Sequence, residues 1–97
     1  MDNLVGKSFY ANMWEGILIV RGKLYFEEDG FGFRAFKALG SISKIQYKEI
    51  VSIQEQNTLV IIPNGIGINL RSGHKMVFAV NNRRLIMDFL NSMISHG

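Results

Sequence analysis

From Phe9 to about Val80 the apolar residues follow strand-like patterns, and from Arg83 to Ile94 they switch to a helical one. Leu85, Ile86, Phe89, Leu90, Met93 and Ile94 recur at spacings that set them on one continuous helical stripe, with Arg83, Arg84, Asp88, Asn91 and Ser92 on the other side. Asn81 or Asn82 supplies an N-cap, because a side-chain carbonyl there can accept a free backbone N–H. The repeat is too short for a coiled coil and suits a helix laid on a core.

Upstream, Ser8 to Trp14 reads as a first strand, and Gly16 to Phe26 is too rich in β-branched and aromatic residues for a comfortable helix. Gly22 falls in mid-run, where sheets often bend. Glu27-Glu28-Asp29-Gly30 is a polar hairpin turn. The returning strand alternates, with Phe31, Phe33 and Ala35 on one face and Gly32, Arg34 and Phe36 on the other. Lys37 to Ser43 reads as a loop. Lys44 to Tyr47 and Glu49 to Gln54 follow as strands, and Asn57-Thr58 interrupts. The apolar run Leu59-Val60-Ile61-Ile62 ends at Pro63-Asn64-Gly65, a strong turn signal. Ile66 to Leu70, a turn at Ser72-Gly73 and Lys75 to Val80 complete the series. The plan predicts about seven short antiparallel strands in a bent sandwich or open barrel, mainly β. The C-terminal helix plugs one end.

Ninety-seven residues make one small domain, 1–97, able to bury about two-thirds of its unfolded surface. The chain has no cysteine, which excludes disulfides and thiolate metal or redox sites. No run approaches the roughly eighteen apolar residues of a membrane span, and Met1 to Lys7 carries no secretory pattern. The chain therefore reads as a complete cytoplasmic protein. Its charge of +3 permits weak attraction to phosphate backbones or anionic lipids, and equally suits a plainly soluble surface.

Gly22-Lys23-Leu24-Tyr25-Phe26 with Phe31-Gly32-Phe33 resembles the G-x-L-Y…L-x-F hairpin of GRAM domains, which belong to the pleckstrin-homology (PH)-like superfold. Ile45-Gln46-Tyr47-Lys48-Glu49-Ile50, followed by Ile53, resembles their I-x-Y-x-x-I segment. Gly65-Ile66-Gly67-Ile68 with Gly73 and Val77-Phe78 resembles a later strand pair, and Asn82-Arg83-Arg84 leading to Leu90 the entry to a closing helix. The resemblance runs from about Tyr10 to Ile94. It implies the same architecture, and binding of phosphoinositides, other anionic lipids or protein partners. Lipid-binding members of the wider group place bases in the first hairpin loop. Here that loop, Met13-Trp14-Glu15-Gly16, has an acid and no base.

Catalysis finds little support in the residues. His74 lies in a predicted turn and His96 is penultimate, with no legible nucleophile and acid beside either. Glu27, Glu28 and Asp29 lack the spacing of a calcium loop and read as a solvated hairpin tip. No metal site or cofactor is expected, and the protein reads as a non-enzyme.

The basic residues carry more. Arg21, Lys23, Arg34, Lys37, Lys44 and Lys48 fall close together. The hairpin brings Lys23 near Arg34, and these with Arg21 and Lys37 could form one patch against phosphates. The plain alternative is an ordinary lysine-bearing outer face. Arg83 and Arg84 form a second candidate at a helix N-terminus, where the dipole disfavours cations slightly. Leu59, Val60, Ile61 and Ile62, if exposed, could dip into a membrane or dock on a partner. If buried, they form an inner strand or a seam in a homo-oligomer. Trp14 either anchors an interface or caps the core.

Two functions follow. One is weak peripheral binding to an anionic membrane, at its inner face, through Arg21, Lys23, Arg34 and Lys37, with Leu59 to Ile62 inserting. The other is a protein-interaction or self-assembly module using a sheet edge or that apolar run. Nucleic acid is disfavoured as a partner, since neither a recognition helix nor an aromatic-plus-basic sheet is legible.

Overall fold

A computed structural model describes residues 3–15, 18–37, 42–58 and 62–95. Seven strands form one antiparallel sheet: β1 (Ser8–Glu15), β2 (Leu18–Phe26), β3 (Gly30–Ala35), β4 (Ile42–Gln46), β5 (Ile50–Thr58), β6 (Ile62–Leu70) and β7 (Lys75–Val80). Helix α1 (Arg83–Ser95) follows. The sheet order is β4-β3-β2-β1-β7-β6-β5. Its two edges, β4 and β5, are joined by only the short 3-10 turn Tyr47–Glu49. Edges that close in sequence can meet only if the sheet rolls, so the strands curl into a half-barrel.

The inward face follows the alternation. Phe31 and Phe33 of β3 are buried and face Phe78 of β7, with ring centroids 6.3 and 5.7 Å apart. These strands are not neighbours in the sheet, so the rings meet across the interior. Helix α1 closes one end with buried Ile86, Phe89 and Leu90. The Phe89 ring lies 5.4 Å from Phe26 and 6.1 Å from Tyr47. Asn82 occupies the cap position, its backbone carbonyl accepting from Ile86 N–H at 3.0 Å. Gly73 turns the β6–β7 connection at φ +91°, a conformation that favours glycine. Leu4, ahead of the first strand, is also buried in the core.

Three local expectations need correction. Asn57-Thr58 does not interrupt a strand, because β5 runs through to Thr58. Pro63-Asn64-Gly65 is not a turn, because it lies inside β6. The pairing explains how proline is accommodated. Gln56 pairs with Gly65 and Thr58 with Ile62, so Pro63 and Asn64 together oppose Asn57 in a bulge. A residue without an N–H is tolerated there, where the ladder is already broken. Tyr47 ends no strand. It opens the 3-10 turn, where the Glu49 carboxylate accepts from Gln46 N–H at 3.0 Å.

Candidate anion-binding face

Strand alternation turns Ser8, Tyr10 and Asn12 of β1 outward, with Arg21, Lys23 and Tyr25 of β2 and Gly32 and Arg34 of β3. Register then sets them in rows. Tyr10, Lys23 and Arg34 are cross-strand partners, flanked by the row Ser8, Tyr25, Gly32 and by the pair Asn12, Arg21. Phe36 N–H donates to the Arg21 carbonyl at 3.0 Å, which brings Phe36 beside Arg21. Lys37 follows it and is exposed.

Rings and cations interleave on this face. Lys23 Nζ lies 4.7 Å from the Tyr10 ring centroid, and Arg34 Cζ lies 5.7 Å from that of Tyr25. Such contacts contribute about 0.5–1 kcal/mol at exposed sites, enough to bias where a flexible cation rests. Tyr25 lies across Gly32, and a Cβ added at Gly32 would collide with its ring. Tyr10 and Phe36 meet edge to face at 6.0 Å. Two shallow hollows result. Lys7, Ser8, Lys23, Tyr25 and Arg34 border one of about 430 Å³. Tyr10, Asn12, Arg21, Phe36, Asn64 and Asn81 border another of about 250 Å³.

Among the described residues, Lys7, Arg21, Lys23, Arg34 and Lys37 form no ion pair. Other bases are engaged. Lys44 sits at the β2–β3 turn, 2.8 Å from Asp29 and 3.4 Å from Glu27, so the predicted solvated tip is tied to β4. The hydrogen bond from Lys44 holds the Asp29 carboxyl below its ordinary range, and the same bond raises the Lys44 ammonium. Tyr47 Oη donates to the Glu27 carbonyl at 2.7 Å. Burial pushes its phenol well above the usual range, and the nearby Asp29 and Glu27 carboxylates push the same way.

Arg83 bonds Glu55 at 2.7 Å and the Gln56 carbonyl at 3.4 Å, which fastens the start of α1 to β5. The Glu55 carboxylate also offsets the cation at a helix N-terminus. Arg84, exposed in the same turn, stands outside the rows described above. Trp14 lies half-buried in β1, paired with Ile19 and Val77, and its Nε1 is buried without a partner. Of the apolar run, Leu59, Val60 and Ile61 lie outside the described residues, and Ile62 opens β6.

Of the bases expected to cluster, Arg21, Lys23 and Arg34 share the outer face and Lys37 follows Phe36 in sequence, while Lys7, Tyr10 and Tyr25 join the face without having been expected there. An aromatic-plus-basic sheet does exist. Its signal was the shared parity of Tyr25 with Lys23 and of Phe36 with Arg34. Tyr10 is found only through the β1–β2 register.

No family model matches the sequence, and no curated protein matches it. Solved structures do. The C-terminal domain of an unknown protein from Leishmania infantum superposes at a TM-score of 0.82, 20% identical, over 94% of this chain and 84% of that one. The N-terminal PH domain of human ARAP2 gives 0.73 at 15% identity, over 93% and 79%. The PH domain of Slm1, solved with phosphoserine and also with inositol-4-phosphate, gives 0.66 at 11% identity for the phosphoserine complex, over 93% and 92%. The chain has the PH-like fold.

Proposed function

We propose that the chain, as one domain over 1–97, is a non-enzymatic PH-like binding module that docks peripherally on anionic membranes, at the inner face of a cell's membrane. The carrying observation is the set of bases without ion-pair partners on the outer face of β1–β3, namely Arg21, Lys23 and Arg34 with Lys7 and Lys37 beside them. Each such base near a charged surface contributes about 1 kcal/mol, falling off over roughly 8–10 Å at moderate salt. Arg21 with the Asn12, Asn64 and Asn81 carboxamides borders a hollow that suits one phosphate of a headgroup. The Slm1 complexes with phosphorylated small molecules are consistent with such a ligand on this fold. The GRAM-like hairpin, Gly22 to Phe26 with Phe31 to Phe33, makes a GRAM-type module the family reading. Arg83 is left out because Glu55 engages it.

Vesicle flotation tests the proposal. The protein should float with anionic and not with neutral liposomes, and more strongly at low salt than at moderate salt. No flotation under any condition would sink it.

A second reading, a protein-interaction or self-assembly module, draws on β5. That strand is a sheet edge and presents exposed Val51. It predicts association that salt leaves unchanged.

A further inference from the structure

The exposed large apolar side chains are not scattered. Among the described residues they are Tyr10, Leu18, Ile19, Phe36 and Val51, and all but Val51 lie in β1, in β2 or just past the end of β3. Tyr10 is 67% exposed and Phe36 59%. Their rings meet at 6.0 Å across β2, so they form one apolar feature drawn from β1 and the residue just past β3. Around it stand Arg21, Lys23 and Arg34, with Lys37 next to Phe36 in sequence, and none of these has an ion-pair partner among the described residues. An exposed aromatic pair costs solvation free energy unless something covers it. A ring of cations leaves few choices for the covering surface: it must be apolar at its centre and anionic at its rim.

We infer that Tyr10 and Phe36 are the insertion element of this protein, seating their rings at the headgroup–acyl boundary of an anionic bilayer while the surrounding bases meet the lipid phosphates. Aromatic side chains favour that depth because an apolar body and a polar tip match the two sides of the boundary. Tyr10 has such a tip, and Phe36 seats deeper. Charge alone gives binding that salt abolishes, whereas seated rings add a component that salt does not screen. The inference rests on the membrane reading and replaces the run Leu59 to Ile62 as the inserting part.

The test compares wild type with Tyr10→Thr, Phe36→Thr and the double variant, which delete rings and keep strand propensity. Partition into phosphatidylserine-containing vesicles is measured from low to high salt, with thermal melting as the folding control and a single-stranded RNA oligonucleotide as competitor. The wild type should retain binding at high salt, the double variant should lose about tenfold in partition, and Phe36→Trp should gain. A double variant that partitions like wild type while remaining folded overturns the inference and leaves the membrane reading standing. A wild type that ignores every vesicle overturns both. Displacement from vesicles by RNA only in proteins that keep the rings would mean that stacking on bases is their role, and would also overturn it.

Discussion

The outer face of β1–β3 and the turn between β2 and β3 are built from the same kinds of residue and behave in opposite ways. On the face, Lys23 and Arg34 rest over tyrosine rings and no carboxylate answers them among the described residues. At the turn, Lys44 is shared between Asp29 and Glu27, and Tyr47 Oη ties the Glu27 backbone to the 3-10 turn. A lysine whose charge is answered inside the molecule is structural. A lysine held over a ring keeps its charge for an outside partner, because a quadrupole orients a cation without neutralising it. Basic residues are thus sorted by what neutralises them rather than by how many they are.

The sharpest break of that contrast is the pair Lys23→Glu and Arg34→Glu. Together they should weaken binding to anionic vesicles by at least ~2 kcal/mol, on the order of thirtyfold, without moving the melting temperature. Arg83→Ala should do the reverse, leaving flotation unchanged and lowering the melting temperature, because its partner Glu55 belongs to the same molecule.

Tyr47→Phe comes next. It removes the 2.7 Å bond to the Glu27 carbonyl and should cost about 1 kcal/mol, or about 4–8 °C in thermal melting. Vesicle partition should stay as it was. If partition falls instead, the turn is part of the binding face and the contrast fails.

A subtler change is Gly32→Ala, which alters no charge. Its methyl group must displace the Tyr25 ring and with it the ring partner of Arg34. Partition at low salt should fall about two- to fivefold.

The smallest effect is the pH dependence of the turn. Asp29 has a folded pKa below its ordinary 3.8, so its contribution is present above that value and is lost as pH falls through the lower folded one. Asp29→Asn should therefore melt slightly below wild type at neutral pH and converge with it in strong acid. Melting curves that stay parallel down to acid pH would mean that the pair contributes nothing, as many exposed pairs do.

Much of this contrast is legible in the sequence. Period-two alternation in Phe31, Phe33 and Ala35 identified the inner face, and with it the outward positions of Arg34 and Phe36. The polar stretch Glu27 to Gly30 located the turn, and the stripe from Leu85 to Ile94 located the closing helix. The reading failed where local chemistry was overruled by pairing. Pro63-Asn64-Gly65 carries a strong turn signal, yet a bulge opposite Asn57 absorbs it within β6. Nothing near Lys44 or Arg83 in the chain announces their partners: strands remote in sequence bring Asp29 to the one and Glu55 to the other.

The sequence by itself determined which side of each strand is apolar, where the chain turns into helix, and that Lys23 and Arg34 lie on one hairpin. Those features are set by side-chain period and by contacts a few residues apart. Only the rolled sheet decided that Tyr10 meets Phe36 across β2, that Phe31 meets Phe78 across the interior, and which bases keep their charge. Those outcomes depend on register and curvature. Both are fixed by the packing of the whole core, and no short window of the chain contains them.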